Sequence, residues 1–241
     1  AGAVAKSVKK SASLSWPEEV AAAAVFFCSF MAVWDVYQLV PMLMALGIAT
    51  VTTFVVMRSY RLLTSSELSF YRYALRSGGK LKAAGVVFLG FAALWTGLNV
   101  HSGWVRYHER AGALAFQSLQ IPDELALARS NPDPWLSASD RENIAIGKDH
   151  FTKAAKTGLF TNIDALPKLA WFEYLSGDAE QAVNHLGKAA DLQSGQGRAL
   201  SLYYRGAILN RLGRYDEAIA NLDKALAERS DLAAAREEKG E

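Results

Sequence analysis

The sequence predicts an all-α protein in which three transmembrane helices are followed by a helical domain outside the bilayer. Before about residue 105 the chain has three long apolar stretches. After that point it is charged, has the apolar periodicity of amphipathic helices, and repeats itself near its end. The overall composition, 51% hydrophobic and 21% charged, is therefore the average of an apolar front and a polar back.

The apolar front contains three stretches of the length that crosses a bilayer, about 20 residues each. We place the spans at about residues 16–35, 41–60 and 81–103. Ser15 and Glu18 form a capping box that begins the first helix. Asp35 and Pro41 predict two helices joined by a tight turn, and the alternative is one kinked, strongly tilted helix.

The segment at 58–82 is a basic loop between the second and third spans. Within it, residues 64–67 resemble a second capping box, and the aromatic and basic residues that follow predict a short amphipathic helix on the membrane surface, ended by Gly78 and Gly79. A loop between two spans favours lipid headgroups over RNA as the partner, and the net charge of +2 gives no general basic field for nucleic acid. The predicted headgroup contacts are Arg58, Arg61, Arg72 and Arg76.

The distribution of basic residues predicts the orientation. The tail at 1–15 contains three lysines and the loop at 58–82 contains six basic residues, whereas the turn at 34–41 has none. The positive-inside rule therefore places the tail and the basic loop in the cytoplasm and the second half of the chain on the other side. In a bacterium this is the inner membrane with a periplasmic domain. In the third span, Ala93 and Gly97 form a small-xxx-small pair that predicts packing against another membrane subunit.

The sequence lacks the residues that several classes of functional site require. Cys28 is the only cysteine, which leaves no disulfide within the chain and no cysteine-based metal site. His101 and His108 lie seven residues apart on one helix face, so they cannot ligate a haem from both sides, and His150 and His185 have no partner at a motif spacing. Phosphate-binding loops and nucleophile–base motifs are also absent from the sequence. We expect neither an enzyme nor a bound cofactor.

The polar back begins with an exit helix and connector at 105–138, followed by a helical domain at 139–241. Pro122 and the prolines at 132 and 134 give the connector its turn residues. Ser137 and Asp140 are placed to begin the next helix.

A repeated motif organises the helical domain. Residues 213–219 read Gly-Arg-Tyr-Asp-Glu-Ala-Ile, and residues 177–183 read Gly-Asp-Ala-Glu-Gln-Ala-Val, at a spacing of 36 residues. This pattern resembles the tetratricopeptide repeat over residues 163–232, with residues 140–157 as half of a third copy. The resemblance implies stacked helix pairs that pack through Ala170, Ala182, Gly206, Ala218, Leu222 and Ala225.

Repeats of this family bind proteins and peptides on the concave surface made by the first helix of each pair. By position, the resemblance implies that this surface contains Trp171, Tyr174, Tyr203, Asn210 and Arg211. The alternative is that the aromatic residues belong to the core and that Asn210 and Arg211 are solvated surface.

Three functional hypotheses follow. The first is a membrane-anchored scaffold or accessory subunit of a larger membrane complex, such as an electron-transfer complex, whose repeat domain binds an extracytoplasmic protein. The second is a periplasmic assembly factor or chaperone, similar to those that hold apocytochromes for haem attachment. The third is the C-terminal part of a membrane iron-sulfur protein, because residues 16–110 also resemble membrane regions of polyferredoxin-type proteins. Those proteins carry clustered cysteines that this chain lacks.

Overall fold

The computed structural model describes residues 14–36, 42–128, 136–159 and 162–240. Helix makes up 78% of the described residues and strand 5%, which confirms the predicted all-α class. The fold divides into two compact units, the first ending at Trp104 and the second beginning at Val105.

The first unit contains three helices that are long and apolar enough to cross a membrane. They confirm the three predicted spans, and the second and third extend beyond the predicted limits. Residues 37–41, where the predicted turn with Pro41 falls, lie outside the described part of the chain. The helices are α1 (Trp16–Val36), α2 (Met42–Thr64) and α3 (Ala83–Gln117), whose last residues belong to the second unit.

Helices α1 and α2 form an antiparallel pair held at one end by an ion pair. Arg61, near the end of α2, donates from Nε and Nη2 to the two carboxylate oxygens of Glu18, each over 2.8 Å. The same carboxylate accepts from the backbone N–H and hydroxyl of Ser15, as the predicted capping box requires. Glu18 therefore begins α1 and joins it to α2. A bidentate guanidinium–carboxylate contact fixes direction as well as distance.

The prediction of an amphipathic surface helix between the second and third spans is wrong. The chain there forms a three-stranded antiparallel sheet of β1 (Leu68–Phe70), β2 (Tyr73–Ser77) and β3 (Lys80–Leu81), in that order. Gly78 and Gly79 do not end a helix. Both have positive φ and form the two-residue turn between β2 and β3, a backbone that favours hairpins. Aromatic residues in the segment favour strand over helix.

Among its described residues, the second unit adds seven helices to the last residues of α3. Ser137 caps one of them, accepting a hydrogen bond from the N–H of Asp140 over 3.0 Å, as predicted. The helices are α4 (Asp123–Leu127), α5 (Ala138–Thr157), α6 (Ala165–Leu175), α7 (Ala179–Leu192), α8 (Gly195–Arg211), α9 (Tyr215–Glu228) and α10 (Ala233–Lys239).

Two helical hairpins, α6–α7 and α8–α9, share one design. Gly177 and Gly213 end the first helix of each pair with φ of +88° and +75°, in the left-handed region that favours glycine. In both turns the residue after the glycine donates its N–H to the carbonyl five residues earlier, over 2.8 and 3.0 Å. This is the Schellman arrangement. Buried residues of the second helices also correspond at the same spacing: Ala182 with Ala218, Leu186 with Leu222, and Ala189 with Ala225.

Small residues allow the helices of the second unit to approach closely. A Cβ at Gly206 would lie 2.8 Å from Leu222 Cγ and 3.2 Å from the Ala218 carbonyl oxygen. A Cβ at Gly147 would lie 2.1 Å from Cζ of Phe172, which is fully buried. Both glycines therefore sit at helix crossings where any side chain would displace a core residue.

Candidate functional site

The first helices of the two hairpins, α6 and α8, border one cleft of the second unit. Its volume is about 100 Å3. We call it the α6–α8 cleft. Side chains from α3, α4 and α7 complete its wall, and the lining residues are Phe116, Asp123, Pro167, Lys168, Trp171, Leu186 and Tyr204.

Aromatic rings form one side of the cleft. Trp171 is the centre of the group, with its ring centroid 5.7 Å from that of Tyr174 and 5.6 Å from that of Tyr204. Tyr203 lies next, 5.1 Å from Tyr204. Tyr174 is only 2% exposed, whereas Tyr203 and Tyr204 are half-buried. Large rings with a hydroxyl at one end offer apolar area together with a directed hydrogen bond.

The short helix α4 lies against this aromatic group. Tyr174 donates its hydroxyl to the Ala126 carbonyl oxygen over 3.2 Å, and Tyr204 donates to the Asp123 carboxylate. Arg211 Nε donates to the Leu127 carbonyl oxygen. The side chains of Ala126 and Leu127 are buried, at 0% and 3% exposure.

The phenols act here as neutral donors. Burial raises the pKa of Tyr204, and its hydrogen bond to the Asp123 carboxylate raises it further. Burial likewise raises the pKa values of Tyr174 and Tyr203. All three phenols therefore keep their proton at physiological pH. The hydroxyls of Tyr174 and Tyr204 donate hydrogen bonds to α4.

The five residues that the sequence assigned to the concave surface all lie on α6 or α8. Of the five, Trp171 alone lines the cleft, and Tyr174 is buried beside it. Asn210 and Arg211 are bonded within the chain: Asn210 Nδ2 donates to Glu238 Oε1 over 2.9 Å, and Arg211 donates to both Glu238 carboxylate oxygens over 3.0 and 3.1 Å.

The predicted concave surface did not include six of the seven lining residues, among them Asp123, Lys168 and Tyr204. Lys168 and Tyr204 occupy equivalent positions of the two hairpins, 36 residues apart. The repeat spacing therefore could have predicted that these two residues occupy matching places on α6 and α8. Asp123 lies in the connector, outside the repeats, so the repeat spacing does not indicate that it lines the cleft.

The structure also corrects the interpretation of the histidines. His150 has no partner at a motif spacing in the sequence, but in the fold its Nδ1 lies 2.6 Å from Nδ1 of His108. His108 is 4% exposed at the end of α3, and His150 lies on α5. Within the described ranges, no three His, Cys, Asp or Glu residues come together to hold a metal ion.

In the first unit, all four predicted headgroup arginines contact other residues of the protein, and the guanidinium of Arg72 lies 5.2 Å from the centre of the Tyr71 ring. Besides the Arg61 ion pair, Arg58 donates to the Ser69 carbonyl oxygen, and its guanidinium lies 5.3 Å from the centre of the Phe70 ring. Arg76 donates to the carbonyl oxygens at the end of α2, over 2.9 Å each. The fourth, Arg72, is exposed on the turn between β1 and β2.

The small pair of the third span faces outward. Ala93 and Gly97 are exposed, and a Cβ at Gly97 would meet no atom of the described residues within 4 Å. The neighbouring Trp95 turns inward and donates its indole N–H to the Thr52 hydroxyl over 3.1 Å. One face of α3 thus packs on α2, and the face with the two small residues does not.

Comparison with known proteins gives no assignment. The sequence matches no protein-family model and no curated protein.

Proposed function

We propose that this membrane protein is a non-catalytic scaffold or accessory subunit of a larger membrane complex, and that its second unit binds an extracytoplasmic protein at the α6–α8 cleft. One observation carries the proposal. Two hairpins of the same design place their first helices side by side, and these helices border an aromatic cleft. Aromatic side chains such as these are enriched at protein–protein interfaces.

The tetratricopeptide resemblance supports the same assignment. The turn glycines and the buried alanine and leucine positions recur at 36 residues in α6–α7 and α8–α9. In helical repeats of this kind each hairpin buries its apolar face on its neighbours. We propose that α5 supplies the preceding half-repeat and α10 the closing helix.

The membrane unit has the features of a subunit that packs laterally. The exposed Ala93 and Gly97 face of α3 allows another helix to approach its backbone closely. We further propose that the N-terminus and the β1–β3 sheet lie in the cytoplasm of a bacterial cell and that the second unit lies in the periplasm. The basic residues near the sheet support this orientation.

Purification from the native membrane in mild detergent, followed by mass spectrometry, tests the proposal. We expect a fixed set of membrane and extracytoplasmic partners at constant ratio. Partners that carry haem, chlorophyll or iron-sulfur centres would identify an electron-transfer complex. A changing mixture of unfolded clients would contradict the proposal and favour the chaperone hypothesis.

Protease added outside sealed spheroplasts tests the orientation. We expect loss of the chain after about residue 105 and survival of the β1–β3 sheet, because only the second unit is then accessible. Cleavage within residues 65–82 from outside would reverse the orientation.

A further inference from the structure

A groove of the membrane unit lies between α1 and α2. Its volume is about 330 Å3, within the range of about 300–1,000 Å3 that is typical of small-molecule sites. We call it the α1–α2 groove. Most of its wall is apolar, with Ala22 and Phe26 from α1 and Phe54 and Met57 from α2.

The two threonines in the wall do not make it more polar. Thr50 donates its hydroxyl to the Leu46 carbonyl oxygen and Thr53 donates to the Ala49 carbonyl oxygen, each over 2.8 Å. Both hydroxyls are therefore satisfied within α2 and need no partner in the groove. This part of the wall suits a hydrocarbon chain.

The charged residues of the wall lie at one end of the groove. Of the described residues that line it, Arg58 and Arg61 are the charged ones, and both lie near the end of α2. From Thr50 to Arg61 the groove follows α2 for about 16 Å, at 1.5 Å per residue. This length is about half of the ~30 Å hydrocarbon core of a bilayer. The groove thus has the length of one leaflet and a cationic end.

The two arginines differ in how their charges are balanced. Arg61 forms its bidentate ion pair with Glu18, which neutralises both groups. The contacts of Arg58 are uncharged: the Ser69 carbonyl oxygen and the Phe70 ring. Its Nε is buried and has no hydrogen-bond partner among the described residues. A charged side chain in a membrane is costly unless it is paired. The end of the groove therefore carries one positive charge that an anion would balance.

The sheet holds the Arg58 guanidinium at this end. The Phe70 ring lies 5.3 Å from it and 5.7 Å from the centre of the Phe54 ring, which lines the groove. A guanidinium has five N–H donors, and the Ser69 carbonyl oxygen accepts from one of them. The fork of donors matches the oxygens of a phosphate group.

We propose that the α1–α2 groove binds one anionic phospholipid, with its phosphate at Arg58 and one acyl chain along the apolar wall. A headgroup of charge −1 balances the single positive charge. The described lining residues include no carboxylate for the cation of a zwitterionic headgroup, and Glu18 is already bonded to Arg61. The proposal names one built site rather than a general attraction of basic residues to the membrane surface. It does not depend on what the α6–α8 cleft binds.

Lipid titration of the full chain in mild detergent, followed by native mass spectrometry, tests the headgroup. The two lipids are phosphatidylglycerol and phosphatidylcholine with the same acyl chains. We expect one phosphatidylglycerol to bind more tightly than phosphatidylcholine does. Arg58→Gln should weaken phosphatidylglycerol binding about tenfold and remove the preference, because a hydrogen bond to a charged group is lost. Arg72→Gln is the matched control, since Arg72 is exposed on the turn of the same sheet, and we expect it to bind as the unmodified chain does.

A second pair of variants tests the acyl chain without changing a charge. Ala22→Phe fills the groove, so we expect it to weaken the binding of both lipids about tenfold or more. Ala23→Phe adds the same ring at an exposed neighbouring position of α1 and should have no effect. Inorganic phosphate at the concentration of the lipid should not displace it, because phosphate has no acyl chain.

Four results overturn the proposal. They are equal binding of the two lipids by the unmodified chain, full affinity of Arg58→Gln, full affinity of Ala22→Phe, and displacement of the lipid by inorganic phosphate, which would show that the site recognises the anion alone. Photo-crosslinking in the native membrane identifies the occupant. A photo-reactive amino acid in place of Phe26 should give an adduct with the mass of a phospholipid, whereas an adduct with a protein would show that a helix of another subunit fills the groove and would also overturn the proposal.

Discussion

Gly206 is the position at which the packing of the second hairpin is tested most sharply. Its missing side chain leaves room for Leu222, which is fully buried: a Cβ there would lie 2.8 Å from Leu222 Cγ and 3.0 Å from Cδ2. Carbon atoms in contact prefer about 3.5–4.0 Å. Gly206→Ala therefore requires Leu222 to move by more than half an ångström within a filled core.

The expected free-energy change combines two opposing effects. Overpacking of this kind costs about 1–3 kcal/mol. Replacing a helical glycine by alanine returns about 1 kcal/mol through helix propensity. We expect Gly206→Ala to destabilise the second unit by about 1 kcal/mol in urea unfolding of the full chain in detergent, followed by far-ultraviolet circular dichroism.

A double-mutant cycle separates the clash from other effects. Leu222→Ala alone should cost about 2–5 kcal/mol, because it leaves a cavity. In that background the added methyl group at residue 206 meets space, so Gly206→Ala should be neutral or stabilising. The coupling free energy should therefore exceed 1 kcal/mol, whereas independent sites add within about 0.5 kcal/mol.

Gly187 gives the matched control. It lies in helix α7, and the nearest atoms to an added Cβ belong to the flexible end of Arg205, at 3.2 Å and beyond. We expect Gly187→Ala to be neutral or to stabilise by up to about 1 kcal/mol. Additive effects of Gly206→Ala and Leu222→Ala would refute the packing of α8 on α9 described above.

Three further substitutions test other contacts. Gly147→Ala should destabilise by about 3 kcal/mol, more than Gly206→Ala, because its Cβ would overlap the ring of Phe172, and thermal unfolding measures this. Tyr174→Phe should cost about 1–2 kcal/mol by leaving a buried carbonyl of α4 without its donor, measured by urea unfolding. Arg61→Lys keeps the charge but not the two-pronged contact with Glu18, so the melting temperature of the membrane unit should fall, and no change would contradict the role of this ion pair.

Much of the fold follows from local sequence signals. Ser137 accepts from the Asp140 N–H, and Glu18 accepts from the Ser15 N–H, at the two helix starts where a serine followed three residues later by an acid predicts them. The 36-residue spacing identifies the two hairpins because each needs the same turn glycine and the same small residues at its crossing. Each of these caps and turns depends on residues close in sequence, so it can be predicted from the sequence alone.

In the segment that forms the β1–β3 sheet, the sequence has signals for both helix and hairpin. Residues 64–67 have the pattern of a helix start, but Thr64 instead ends α2, with its hydroxyl donating to the Tyr60 carbonyl oxygen over 2.9 Å. The Gly78–Gly79 pair was the stronger signal, because two consecutive residues with positive φ match the twist of a hairpin.

The candidate site was only partly predictable, since its contacts join distant parts of the chain. The Tyr204–Asp123 contact spans 81 residues, and the Arg211–Leu127 contact spans 84. A connector carries no periodicity that indicates where it docks. The sequence therefore predicts a binding surface on helices α6 and α8 but gives no sign that α4 packs against these helices.

Site-specific photo-crosslinking in the native membrane tests whether the α6–α8 cleft binds a protein, as we propose. A photo-reactive amino acid replaces Lys168, which lines the cleft, and in a control it replaces Lys188, which is exposed on α7. We predict an adduct of one defined mass from residue 168 and none of that mass from residue 188. The absence of an adduct at residue 168, or the same adduct from both positions, would contradict the claim.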